Sequence, residues 1–192
     1  SSYKWSDGLS TIATTSSYTP TNSGIYTIKA ISSIGCEIES APVYFQTIAL
    51  EEGLNFISTN VRPSDTTIST LFNGLDVQAI KASDSFWDKA LIPAFNSLKK
   101  ITIGDAYLVD MNAPGTLSLA GLPEYSGLTN IAGMTEGWHM IGCPYPSAKA
   151  LSSLFNADNA IIIKGFDGYW VPGGNLNSIQ YLEVGKGYFY QK

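Results

Sequence analysis

Apolar and polar residues alternate in short runs along most of the chain, and turns rich in Gly, Pro and Asn separate the runs. Tyr3-Lys4-Trp5-Ser6 runs into Asp7-Gly8, and Ile25-Tyr26-Thr27-Ile28-Lys29-Ala30 follows Asn22-Ser23-Gly24. Ala41-Pro42-Val43-Tyr44-Phe45 follows Gly35-Cys36. A period of two broken by turns predicts strands, and over residues 1–45 it predicts part of a β-sandwich. Further on, Leu54-Asn55-Phe56-Ile57, Val77 to Ala82, Phe86-Trp87 and Ala106 to Met111 read as strands. In the last of these, Tyr107, Val109 and Met111 alternate with Leu108 and Asp110, as in a strand with one buried face. One stretch keeps a different period. Ile68, Leu71, Phe72 and Leu75 fall at i, i+3, i+4 and i+7, which predicts a helix over Thr66 to Leu75, opened by Ser64-Asp65. Leu117-Ser118-Leu119 predicts one more strand, and Pro123 to Gly127 reads as loop.

The same pattern then returns. Glu52 to Ser58 matches Glu136 to Gly142, Ser69 to Asn73 matches Ser152 to Asn156, and Ala79-Ile80-Lys81 matches Ile162-Ile163-Lys164. Asp84-Ser85-Phe86-Trp87 matches Asp167-Gly168-Tyr169-Trp170, Asn96-Ser97-Leu98 matches Asn177-Ser178-Ile179, and Gly104 to Tyr107 matches Gly185 to Tyr188. The offsets are 84, 83, 83, 83, 81 and 81 residues. Six matches in order with so little drift predict an internal repeat. The second copy then carries a helix with Leu151, Leu154 and Phe155, capped near Ser147, and a closing strand from Gly187 to Gln191. The expected fold is mainly β, and α+β within the repeats. A partial immunoglobulin-like sandwich spans 1–45, a β-rich unit spans 46–122, and its second copy spans 123–192, with one short helix per copy. The copies are free to pack as one pseudo-symmetric domain.

Composition narrows the function. Only 14% of residues are charged, against about 25% in ordinary soluble domains. Thr, Ser, Asn and Tyr fill the difference, a mixture that suits β-rich extracellular modules. The net charge of −5 offers no basic footprint for nucleic acid, and no apolar run is long enough to span a bilayer. The opening Ser1-Ser2-Tyr3-Lys4-Trp5 is not a signal peptide, so secretion implies that the chain continues upstream. Cys36 and Cys143 are compatible with a disulfide or with two separate thiols. With a single histidine, His139, they do not make a zinc site.

Two parts of the chain resemble known modules. Tyr3 to Ser6, Ser23-Gly24-Ile25-Tyr26-Thr27-Ile28, Gly35-Cys36 and Ser40 to Val43 resemble the second half of the immunoglobulin-like (PKD-like) domains of secreted Bacteroidetes proteins. The resemblance implies that Tyr26 is a corner tyrosine, that Trp5 packs in a core, and that Cys36 pairs with a cysteine on an early strand. No such cysteine is present, because the likeness begins near the third strand of that domain. Residues 46–192 resemble a module repeated in large surface-anchored bacterial proteins. The likeness rests on Gly137-Trp138-His139-Met140-Ile141-Gly142, on Lys164 to Trp170, and on Gly185-Lys186-Gly187-Tyr188. It implies an extracellular or outer-surface location and adhesion, and carries no known activity.

Candidate chemistry is sparse. The chain has no Gly-x-Ser-x-Gly elbow, phosphate-binding loop or His-Glu-x-x-His, so no catalytic residue, metal ligand or cofactor is assigned. His139 beside a core-like Trp138 reads as structural. Asp84 and Asp167 recur before aromatic strands, where Asp is ordinary turn chemistry as well as a candidate for sugar contact. Trp87, Tyr169 and Trp170 carry the binding hypothesis. Phe86-Trp87 and Tyr169-Trp170 are adjacent in strands, so one ring of each pair can face out and stack on a polysaccharide, unless both pack against the helix or the other copy, as buried aromatics in a core do. The expected function is a non-catalytic surface module for adhesion or display, with polysaccharide or another surface protein as partner. An accessory spacer or substrate-binding region of a larger secreted glycan-degrading enzyme is the alternative.

Overall fold

A computed structural model describes residues 1–123 and 133–192. Residues up to 50 supply β1 (Ser2–Ser6), β2 (Thr11–Ala13), β3 (Gly24–Ile31), β4 (Glu37–Glu39) and β5 (Val43–Leu50). Then come β6 (Gly53–Ser58), β7 (Val61–Pro63), α1 (Ile68–Leu71), β8 (Val77–Lys81), β9 (Phe86–Asp88), β10 (Ala106–Met111) and β11 (Gly115–Pro123). The loop expected over Pro123 to Gly127 lies, beyond Pro123, outside the described residues. After it follow β12 (Trp138–Gly142), β13 (Lys149–Ala150), α2 (Leu151–Leu154), β14 (Ile162–Lys164), β15 (Tyr169–Trp170), β16 (Tyr181–Leu182) and β17 (Gly187–Gln191). The chain is mainly β.

The first sheet has seven strands in the order β2-β1-β3-β5-β11-β7, with β4 also paired to β3. Strand β5 runs through residue 45: Val43 to Phe45 pair with β3, and Tyr44 to Leu50 pair with β11. The N-terminal strands therefore share a sheet with the residues that follow them. Within this sheet the Tyr26 hydroxyl donates to the Asn22 carbonyl, 2.9 Å away and four residues back, which is the bond made by a corner tyrosine. Its ring sits in a row of aromatics, Trp5, Tyr18, Tyr26 and Phe45, with centroids 6.0, 6.1 and 6.3 Å apart. Trp5 is partly buried, and its indole N–H donates to the Thr15 carbonyl at 3.0 Å.

Two further antiparallel sheets have four strands each, in the orders β6-β10-β8-β9 and β12-β17-β14-β15. The matched segments occupy corresponding strands, and the registers agree. Ile57 stands opposite Tyr107 as Ile141 stands opposite Tyr188. Ile80 lies between Val109 and Trp87 as Ile163 lies between Tyr190 and Trp170. Matched polar residues hold matched turns. The Asn96 and Asn177 carbonyls accept the N–H groups of Asp88 and Val171, both at 2.8 Å. The Ser97 and Ser178 hydroxyls accept those of Phe86 and Tyr169, both at 2.9 Å. Gly104 and Gly185 share a φ of 87°, a conformation that favours glycine.

Both helices are shorter than the sequence period predicts. The N-cap of α1 is Thr67 and that of α2 is Ala150, and neither makes a side-chain cap bond. Asp65 instead accepts the Thr67 N–H at 2.8 Å and the Thr70 hydroxyl at 2.9 Å, shaping the approach to the helix. Each helix begins where strand-like pairing ends: the Ile68 N–H donates to the Lys99 carbonyl (3.0 Å) and the Leu151 N–H to that of Gln180 (2.9 Å), both groups that a helix leaves without an internal partner. Gly74, at a φ of 84°, turns the chain before Leu75. Ile68 and Phe72 still pack inward, so the apolar face survives although the helix does not extend to Leu75.

Each four-stranded sheet buries one face. The first core joins Ile57, Ile80, Tyr107, Val109 and Met111 to Ile48, Leu50, Leu117 and Leu119 from β5 and β11, with Ile68 and Phe72 beside them. Among the described residues the second core draws no side chain from the seven-stranded sheet. It is built from Ile141, Leu151, Phe155, Ile163, Trp170, Tyr188 and Tyr190. Tyr190 stands where the first core has Val109, and its larger ring meets Phe155 at 5.5 Å. Burying a side chain of this size removes enough apolar surface for roughly 2–3 kcal/mol.

The two four-stranded sheets meet through equivalent residues. The Ser58 N–H donates to the Gly185 carbonyl at 3.0 Å, and the Gly142 N–H donates to the Gly104 carbonyl at 2.7 Å. Isolated bridges join Ile57 to Lys186 and Ile141 to Asp105. Every pair maps onto the other when matched residues are exchanged, which is the signature of an isologous, two-fold contact. Such a contact brings matched positions face to face. Ser58 meets Gly142, where an added Cβ would lie 2.2 Å from the Ser58 Cβ, and Ala106 meets Gly187, where it would lie 2.9 Å from the Ala106 Cβ. One member of each pair has to be glycine. The Ser58 hydroxyl also donates to the Lys186 carbonyl (2.7 Å) and accepts the Cys143 N–H (3.2 Å).

Gly142→Ala and Gly187→Ala are each expected to cost about 1–3 kcal/mol through overpacking, read as a lower urea midpoint; an unchanged midpoint in both would contradict the close approach. The buried phenols give a second expectation. Tyr107 and Tyr188 accept the backbone N–H groups of Thr102 (2.7 Å) and Glu183 (3.0 Å), and burial pushes both hydroxyls up to about 12. An unfolded tyrosine ionises near 10, so these groups keep their full stabilisation below pH 10 and lose it between about pH 10 and 12. The loss should be on the order of 2–3 kcal/mol per ring. Denaturant midpoints taken across that window, with Tyr107→Phe and Tyr188→Phe showing less of the fall, check it.

Candidate functional site

Strand alternation decides which rings are available. Ile80 and Ile163 face the cores, so the residues opposite them, Trp87 and Trp170, face inward as well. Trp170 is only 4% exposed and its ring meets Phe155 at 6.3 Å, so it presents no open stacking surface, contrary to its place among the candidates. Trp87 is partly buried against the first core, with one part lining a cleft of about 510 Å³ shared with Asp88, Leu91, Asn96 and Lys99. The outward ring of each pair is the other one. Phe86 is 42% and Tyr169 40% exposed.

The outer face of the second four-stranded sheet gathers more aromatics. Ile141 points into the core, so Met140 and Trp138 point out, and Trp138 is 51% exposed. The core-like reading of Trp138 is therefore corrected by the register of β12. Matched Leu54 is likewise exposed. Across the face, Met140 pairs with Phe189, Phe189 with Lys164, and Lys164 with Tyr169, while Trp138 pairs with Gln191 and Gln191 with Ile162. The Lys164 ammonium lies 5.4 Å from the centre of the Trp138 ring, within cation–π range. Trp138, Lys164 and Tyr169 are thus exposed on this face, around Phe189, which packs against Phe56 of the first four-stranded sheet at 4.6 Å.

The acidic candidates are placed differently. Asp84 is exposed in the turn after β8 and lines a cleft of about 270 Å³ with Ser97, Lys99 and Asp105. Asp167 is bridged to Lys186 at 2.9 Å, and Lys186 also reaches Glu183 at 3.1 Å. The hydrogen bond from Lys186 holds the Asp167 carboxyl below its ordinary range and so keeps it charged. Where Lys186 stands in the second unit, the first has Asp105, so the two aspartates sit in unlike electrostatic surroundings.

His139 is engaged by backbone. Its Nε2 lies 2.8 Å from the Thr135 carbonyl, as the Asn55 amide donates to the Glu51 carbonyl at 2.8 Å in the matched position. Both side chains tie a strand to the turn four residues before it. Cys36 is an exposed free thiol and Cys143 a buried one, and burial pushes the latter up. Among the described residues, no group of three His, Cys, Asp or Glu side chains converges to hold a metal ion, and no helix is long and apolar enough to cross a membrane. No protein-family model, curated protein or solved structure matches the chain.

Proposed function

We propose that this chain is a non-catalytic extracellular or cell-surface module for adhesion or display, and that it contacts carbohydrate through outward rings on its sheet faces. The observation that carries the reading is the exposure of Trp138 and Tyr169, 51% and 40%, on the two edge strands of one sheet face. Large rings left in water cost free energy unless a partner covers them, and a sugar ring presents an apolar C–H face of matching size. Strands fix both rings with little freedom, which suits recognition of a repeating polymer. The matched Phe86 offers a second, plainer platform on the first sheet.

The reading includes duplication: the units spanning residues 46–122 and 123–192 are taken as two copies of one ancestral fold. What supports this is the coincidence of strand order, register and turn-holding Asn and Ser residues. Residues 1–45 act in this account as the remainder of an immunoglobulin-like module that joins the same sheet.

A glycan array probed with the wild-type chain, Trp138→Ala and Tyr169→Ala tests the reading. Binding to at least one polysaccharide is expected, lost in both variants while their stability stays within about 0.5 kcal/mol of wild type. Trp170→Ala is expected to differ in kind, with a loss of about 3–5 kcal/mol of stability from the core. A wild-type chain that binds no glycan, or binding indifferent to both exposed rings, contradicts the carbohydrate reading.

A further inference from the structure

Lys164 sets the second sheet face apart from a neutral aromatic platform. Its backbone is in register with Phe189 on one side and Tyr169 on the other, and its ammonium lies over Trp138. Lys29, Lys89 and Lys186 are each bridged to a carboxylate, but Lys164 has no such bridge among the described residues. Its neighbours across the face, Met140, Phe189, Ile162 and Gln191, carry no charge. Asp167, in the adjoining turn, is already held by Lys186. An exposed cation thus lies among rings, with no carboxylate bridged to it among the described residues, in a chain whose net charge is −5.

The first sheet supplies an internal comparison. Lys81 occupies the matched place beside Phe86, but Asp110 stands where the second sheet has Gln191, and Asp88 lies in the same row across Ala79. There the lysine has acidic company. Leu54 replaces Trp138, so no large ring lies in the matched position.

We propose that the Trp138–Lys164–Tyr169 face binds an anionic carbohydrate, a uronate-containing polysaccharide whose pyranose ring stacks on an exposed aromatic and whose carboxylate pairs with Lys164. This rests on the carbohydrate reading above and adds the charge of the ligand. A charge-assisted hydrogen bond from the ammonium is stronger than a neutral one. At physiological salt the chain's remote negative charges are screened beyond about 8 Å, so the local cation governs selection.

Calorimetric titration of the full chain with polygalacturonate, its methyl ester and polyglutamate separates the outcomes. The ester keeps the sugar ring and removes the charge, and polyglutamate keeps the charge and removes the ring. Wild type is expected to bind polygalacturonate roughly two- to fivefold more tightly than the ester and to leave polyglutamate unbound. Lys164→Gln should erase that preference, and Lys81→Gln should leave it intact. Equal affinity for acid and ester, equal effects of the two lysine variants, or comparable binding of polyglutamate overturns the inference. In the first two cases the carbohydrate reading survives. Binding to no carbohydrate at all overturns both.

Discussion

Two backbones approach each other at Ser58 and Gly142, and again at Ala106 and Gly187, more closely than two Cβ atoms would allow. The reciprocal hydrogen bonds from Ser58 to Gly185 and from Gly142 to Gly104 require that approach, and they join two sheets of the same strand order. A symmetric contact brings like positions together, and at these two places the backbones are so close that only one of the two residues has room for a Cβ. The second unit supplies the glycine at both places. Each β-sheet buries one face against its own core, while the contact is made near strand ends. Phe56 of the first sheet meets Phe189 at 4.6 Å and Phe166 at 5.5 Å, closing a small apolar seam between the units.

Once joined, the units are no longer equivalent. The first is covered by β5 and β11 of the seven-stranded sheet, whose Ile48, Leu50, Leu117 and Leu119 complete its core. Among the described residues the second lacks that cover and fills its interior with larger rings, Tyr190 in place of Val109 being the clearest exchange. Differences between matched residues thus divide into those that answer a packing demand and those that change the surface. Trp138 for Leu54, Tyr169 for Phe86 and Gln191 for Asp110 belong to the surface group, and together they make one outer face aromatic and locally cationic.

Much of this was legible in the chain itself, because period-two alternation and the spacing of matched segments are properties of the sequence. Alternation through Ile80 and Ile163 implied one ring in and one ring out of each aromatic pair, but not which. That choice depends on the register of β9 against β8 and of β15 against β14, which alternation within one strand does not carry. Trp138 was misplaced for the same reason: hydrophobicity suggested the interior, and the strand's phase put it outside. Each helix begins at an N–H paired with a distant carbonyl, Lys99 or Gln180, and Gly74 at positive φ turns the chain before Leu75, so local periodicity overstates the length of α1. The acidic candidates separated only when Lys186 was seen against Asp167, a pairing across 19 residues.

A reciprocal junction fixes two sheets, and the outer face of one carries the exposed rings on which the proposed carbohydrate contact rests. The junction is the claim on which that arrangement stands. Amide hydrogen exchange at Ser58 and Gly142 tests it directly, since both N–H groups are buried in bonds between the units. The account predicts that the two amides are strongly protected and open with the same free energy, as members of one cooperative element. Rapid exchange at either amide, or protection at one with free exchange at the other, would contradict it.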